Sequence, residues 1–151
     1  HHVKIVGDDT TEEAKRLKQY VQEKNLTNIE FTGFKSGVEL EELIKGSRYT
    51  LIPSVWYDNL PNTALESFQY SKPVIASNIG SLPELVLDGV NGYLFEAGNA
   101  GDLRDKILRL CDDEQVKNMG AESRLRLEKK FAPKDHYDAL MYVFETVKNK
   151  E

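Results

Sequence analysis

Residues 49–80 read YTLIPSVWYDNLPNTALESFQYSKPVIASNIG, and the order of apolar and polar positions along them decides the fold class. Tyr49–Ser54 and Pro73–Ser77 are short apolar runs carrying β-branched residues, the pattern of buried strands. Between them Ala64, Leu65 and Phe68 recur at helical spacing, which predicts a helix from Pro61 to about Ser71 with its apolar side on a sheet. A strand, a helix and a second strand in this order imply a right-handed crossover between parallel strands.

The same alternation continues in both directions. Val3–Asp9 (VKIVGDD) reads as a buried strand feeding a turn, and Thr10 or Thr11 then caps a helix carrying Ala14, Leu17, Tyr20 and Val21 as far as Asn25. Asn28–Phe34 (NIEFTGF) reads as a strand and Gly37–Ser47 as a short helix stopped by Gly46. Gly92–Ala97 (GYLFEA) is the last strand, and helical pieces start near Ala100, Glu114 and Pro133. The fold class is α/β, a doubly wound parallel sheet covered by helices on both faces. It is read as one domain over residues 3–151, with His1 and His2 as the remnant of an affinity tag.

Composition narrows the function. The chain has 151 residues, 40% of them hydrophobic and 30% charged, with a formal net charge of -5. That balance argues against a general nucleic-acid binder, which needs a basic face. Cys111 is the lone cysteine, read as a packing residue in an apolar helical pattern, so no internal disulfide is expected and the setting is read as cytoplasmic. No apolar run reaches the roughly 20 residues that span a bilayer. With the tag set aside only His136 remains, a surface residue on this reading, so no histidine metal site is expected.

In doubly wound sheets ligands bind beyond the carboxyl ends of the strands. The chemistry-bearing residues follow strands here: Gly7-Asp8, Gly33-Phe34-Lys35, the Pro53–Asn62 run and the Ser77–Glu84 run. Pro61 is favoured in a first helical turn because it has no N–H to leave unpaired. The N–H groups near Asn62, Thr63 and Ala64 then lack partners and carry the positive end of the helix dipole, an arrangement suited to phosphate. Asn62, Glu66 and Gln69 share one polar stripe, and Asp58 lies just before the helix. Two carboxylates flanking a phosphate-binding helix start match a ligand with phosphates between two polyols. Read from the residues alone, Glu66 is equally a solvated helix acid and Asp58 a turn residue.

Residues 49–99, YTLIPSVWYDNLPNTALESFQYSKPVIASNIGSLPELVLDGVNGYLFEAGN, resemble the donor-binding signature of the retaining nucleotide-sugar glycosyltransferases with the GT-B fold, the group 1 family. VKIVGDD, IEFTGF and ELEELIKGS match upstream in order and spacing. The family motif is an acid, seven residues and then Glu, here Asp58 to Glu66, with Asp for the usual first Glu. The resemblance implies the C-terminal, Rossmann-like half of the fold. It implies that Glu66 binds ribose hydroxyls and that Asp58 lies beside the transferred sugar, so both are the candidate catalytic residues. Amides around Leu60, Asn62 and Thr63 would hold the diphosphate, Phe34 and Lys35 would lie against the base, and Gly7 would line the cleft floor. The turn through Gly80-Ser81 departs from a more usual Gly-Gly pair.

The resemblance further implies a donor such as a UDP-, GDP- or ADP-sugar, no cofactor and no obligatory metal. The acceptor, a saccharide or lipid-linked saccharide, would be held by an N-terminal domain that this chain lacks, as it lacks the family's phosphate-contacting Arg and Lys. The fragment is therefore expected not to catalyse transfer by itself and to hold no transmembrane segment, with peripheral membrane association of the full enzyme as an option. Relatives build surface polysaccharides, glycolipids or storage sugars. Two other readings stay open: a nucleotide-sugar epimerase with the same sheet, and a flavodoxin-like regulatory module using Asp8-Asp9. Near the carboxyl terminus Tyr137, Leu140, Met141, Phe144 and Val147 form one stripe, read for most of it as packing on the sheet, with exposure of part of it as the alternative if the last helix of a complete enzyme reaches across to the other domain.

Overall fold

The computed structural model of the chain describes residues 2–148; His1, from the expected tag, and residues 149–151, at the end of the expected domain, lie outside the described residues. The chain divides into two compact units, His1–Leu43 and Ile44–Glu151.

In the first unit β1 (Val3–Val6) pairs in parallel with β2 (Ile29–Gly33), Val3 opposite Ile29 and Ile5 opposite Phe31. Between them runs α1 (Glu12–Glu23), and Thr11 is its cap: the Thr11 hydroxyl accepts the Ala14 N–H at 3.2 Å. The Asp8 carboxylate accepts the Thr10 N–H at 2.9 Å and the Thr10 hydroxyl at 2.6 Å, which holds it below the usual carboxylate range. The expected buried strand is corrected here. Lys4, Ile5 and Val6 are exposed, because a two-stranded parallel ladder leaves its edges open and α1 buries none of its residues. A further helix, α2 (Gly37–Gly46), follows β2.

The second unit is built round β4 (Val74–Ser77), which is buried along its whole length. It pairs in parallel with β3 (Thr50–Ile52) on one side and β5 (Gly92–Phe95) on the other, Leu51 opposite Ile75 and Ile75 opposite Tyr93. All strand pairs are parallel, as expected, although the hydrogen bonding forms a ladder of two strands and a ladder of three in place of one continuous sheet. Alternation along β4 sends side chains to two cores. Val74 and Ala76 join Ile52, Ala64, Phe68 and Leu85 on one face. Ile75 joins Tyr93, Phe95, Leu110 and Met119 on the other. Beyond β4 the short α4 (Leu82–Leu85) adds Leu82 and Leu85 to the first core.

The crossover helix is α3 (Asn62–Gln69), and α5 (Ala100–Arg109) and α6 (Asp113–Lys130) complete the cover. Helix α3 is shorter than its apolar pattern suggests: Pro61 is the flanking residue before it, Tyr70 follows it, and Ser71 has φ +54. Ser67, a buried hydroxyl, joins α3 to the start of β3: it donates to the Thr63 carbonyl at 2.7 Å and lies 2.8 Å from the Thr50 hydroxyl. Gly120 lets α6 approach the α3–β4 turn closely, since a Cβ there would fall 2.1 Å from the Ser71 carbonyl oxygen.

Two expectations about the C-terminal third are corrected. Cys111 is exposed, because it lies in the turn after α5 rather than in its apolar stripe. The last helix, α7 (Pro133–Lys148), buries none of its residues, so its apolar stripe does not pack on the sheet; Tyr137, Leu140, Phe144 and Val147 are exposed. His136 is exposed, as expected.

Helix propensity alone would make Gly120→Ala stabilising by about 1 kcal/mol. The backbone contact reverses the sign, and urea denaturation is expected to show a loss of about 2 kcal/mol or more, from overpacking. Ser67→Ala is expected to cost about 1 kcal/mol in the same measurement, the worth of one buried hydrogen bond.

Candidate functional site

The second unit gathers five of the predicted site residues at one end of α3. Asp58 and Leu60 lie in the 53–61 connection from the carboxyl end of β3; Asn62, Thr63 and Glu66 lie on α3. Pro61 has φ -69 and ψ 107 and offers no side-chain cap. Its carbonyl accepts the Ala64 N–H at 3.0 Å, whereas the N–H groups of Asn62 and Thr63 have no hydrogen bond among the described residues. The other end of the helix differs: Arg124 of α6 donates to the Gln69 carbonyl at 2.7 Å. The chain thus satisfies the negative end of α3 and leaves the positive end open, the polarity that favours an anion.

Asp58 lies in the connection before that open end and Glu66 in the second turn of the helix. Asp58 and Glu66 are both half-buried. Neither carboxylate has a hydrogen bond or ion pair among the described residues. Partly desolvated carboxylates without an internal partner are available acceptors for the hydroxyl pairs of a sugar. Asn62 and Thr63 are exposed beside them, and Ala64 and Phe68 are fully buried on the opposite side of the helix, as the spacing predicts.

The connection carrying Asp58 is held from the next strand's loop. The Ser81 N–H and the Ser81 hydroxyl both donate to the Asp58 carbonyl, at 3.2 Å and 2.9 Å. Gly80 has φ +59, and a Cβ on it would lie 3.0 Å from the Asp58 amide nitrogen and 3.1 Å from its carbonyl oxygen. The close backbone approach in this turn therefore falls at Gly80, and Ser81 contributes through its hydroxyl. Sequence reasoning singled out the turn but not its contact with Asp58, since no periodicity links residues so far apart in the chain. Trp56 and Tyr57 are exposed, at 64% and 83%.

The remaining predicted residues belong to the first unit. Gly7 follows β1, with φ +154, and its N–H donates to the Gly33 carbonyl at 3.1 Å. Phe34 and Lys35 follow β2, so all three lie at the carboxyl end of the same ladder. Nothing lies within 4 Å of a Cβ placed on Gly7, which leaves open space there. Phe34 is 73% exposed, a free ring face. Lys35 pairs with Glu39 at 3.1 Å. The Asp8-Asp9 pair, by contrast, is engaged locally: Asp8 by Thr10, and Asp9 by the Lys18 ammonium at 2.6 Å. Among the described residues no group of His, Cys, Asp and Glu is arranged to hold a metal ion, and no helix is long and apolar enough to cross a membrane.

Comparison with known proteins brings these features together. The family model for glycosyl transferases group 1 matches residues 2–130. An uncharacterized glycosyltransferase of Methanocaldococcus jannaschii is 35% identical over 129 residues, which is 85% of this chain and 36% of that protein. Among solved structures, sucrose-phosphate synthase from Thermosynechococcus elongatus superposes with a TM-score of 0.84 at 24% identity, over 98% of this chain and 39% of that one. Anabaena HepE in complex with UDP and glucose superposes with a TM-score of 0.83 at 20% identity, over 96% of this chain and 40% of that one. The chain thus spans a little over a third of the length of these proteins, and its fold is that of the C-terminal domain of GT-B glycosyltransferases. With that fold, an open helix start between two unpartnered carboxylates and a family match over most of its length, the chain belongs to the glycosyl transferases group 1 family.

Proposed function

We propose that this chain is the donor-binding part of a retaining, cytoplasmic hexosyltransferase that moves a hexose from a nucleotide diphosphate sugar to an acceptor hydroxyl. The observation that carries the reading is the open N-terminus of α3 between the unpartnered Asp58 and Glu66. The diphosphate lies on the N–H groups of Asn62 and Thr63, with the backbone at Leu60 beside it. Glu66 accepts the ribose hydroxyls and Asp58 the hydroxyls of the hexose. The HepE complex with UDP and glucose supports a ligand of this class on this fold.

In transfer, the bond from the sugar's anomeric carbon to the diphosphate oxygen breaks and a bond to the acceptor oxygen forms on the same face. The departing phosphate takes the acceptor's proton. Negative charge grows on the diphosphate as this happens, and fixed N–H dipoles at a helix start stabilise such charge without reorganising. No obligatory metal is required by this scheme. Asp58 orients the sugar and does not become covalently bound to it. The acceptor, a saccharide or lipid-linked saccharide, is held by a domain outside this chain, so this part alone binds donor and does not transfer it.

Glu66→Ala is expected to weaken nucleoside diphosphate binding by about tenfold or more in isothermal titration, the loss of hydrogen bonds to a charged acceptor. Unchanged affinity would reject the ribose role. In a glycosyltransferase polypeptide that includes an acceptor domain, Asp58→Ala is expected to lower turnover far more than nucleotide affinity. An equal loss of both would remove Asp58 from the sugar, and release of an epimerised sugar with no transfer would replace the reading with an epimerase.

A further inference from the structure

We propose that Ser81 is a positioning residue for Asp58 and thereby sets how strongly the site holds the sugar part of its donor. The inference rests on the reading above, in which Asp58 accepts the sugar hydroxyls. Ser81 occupies the position before α4 with φ -85 and ψ -7, yet its hydroxyl makes no capping bond to that helix. A serine in this place ordinarily accepts an N–H from the first turn. Here the hydroxyl turns away and donates to the Asp58 carbonyl at 2.9 Å, alongside the Ser81 N–H at 3.2 Å.

Both lone pairs of one carbonyl are thus used by one residue. No other hydrogen bond ties residues 55–60 to the rest of the chain among the described residues. Val55, Trp56, Tyr57, Asn59 and Leu60 are all exposed, and only Asp58 is half-buried. On its other side the Asp58 peptide lies against Gly80, whose missing side chain leaves just enough room. The backbone of Asp58 is therefore pinned between Gly80 and Ser81 while the loop around it is free.

A carboxylate contributes to binding and reaction only as far as its geometry is fixed beforehand. Fixing the Asp58 carbonyl fixes the peptide plane that follows its Cα, and the contact of Gly80 with the Asp58 nitrogen restricts the one before it, so the Cα from which the side chain projects is held on both sides. Ser81 acts through Asp58 alone, because Glu66 and the N–H groups of Asn62 and Thr63 are held by α3. Its loss should therefore be felt by the sugar and not by the nucleotide.

The test measures the affinity of the chain for UDP and UDP-glucose, with the GDP and ADP pairs in parallel, in Ser81→Ala, Ser81→Thr, Asp58→Asn and the Ser81→Ala/Asp58→Asn double variant. Thermal unfolding of each variant verifies that it is folded. Ser81→Ala is expected to lower the preference for the sugar nucleotide over the bare nucleotide about fivefold, the worth of one hydrogen bond. Ser81→Thr, which keeps the hydroxyl, should restore it, and Ser81→Ala should add nothing once Asp58 is Asn. A wild-type preference that survives in Ser81→Ala, equal weakening of both ligands, or additivity with Asp58→Asn overturns the proposal and leaves the donor site standing. A wild-type chain that binds both members of every pair equally, or binds none of them, rejects the donor-site reading and the role of Ser81 with it.

Discussion

Burial of Val74–Ser77 on both faces is the constraint from which the rest of the second unit follows. A strand without a solvated face must find a neighbour at each edge and a helical layer on each side. Here β3 and β5 fill the edges, α3 and α4 cover the Val74 and Ala76 side, and α5 covers the Ile75 side. Parallel pairing then places the 53–61 connection and the 78–81 turn at the same end of adjacent strands. That adjacency brings Gly80 and Ser81 onto the backbone of Asp58. A candidate site residue owes its position to the packing of a strand that has no chemistry of its own.

The same scaffold gives α3 its electrostatic asymmetry. Phe68 and Ala64 anchor the helix in the core, Ser67 ties it to β3, and Arg124 closes its C-terminal end. Only the end facing the connection is left without internal partners. An open helix start is common and by itself weak as a functional sign. Its value here comes from two half-buried carboxylates that the chain also leaves unpartnered, Asp58 in the connection before it and Glu66 in the second turn of the helix.

Much of this was legible in the residues. The apolar runs at Thr50–Ile52, Val74–Ser77 and Gly92–Phe95 form strands, as their short length and the turn residues around them predict, and the spacing of Ala64, Leu65 and Phe68 placed α3 on the sheet. Asp58 and Glu66 were singled out by their spacing around Pro61 and by the family motif that they match. What was not legible depends on the third dimension. The exposure of β1 follows from its ladder having two strands, and that of α7 from the absence of a covering layer, neither of which a periodic pattern reports. Cys111 lies past the end of its helix by a few residues, the range in which sequence patterns are least informative. The Ser81 contact joins two loops, and loops carry no period at all.

The central claim is that the N–H groups at the start of α3 receive the donor's diphosphate. The most direct measurement is a two-dimensional amide NMR titration of the chain with UDP, GDP and ADP. The account predicts that one nucleotide shifts the Asn62 and Thr63 amides more than any others in the second unit, with smaller changes at Glu66. Binding that moves amides elsewhere and leaves Asn62 and Thr63 in place would contradict it.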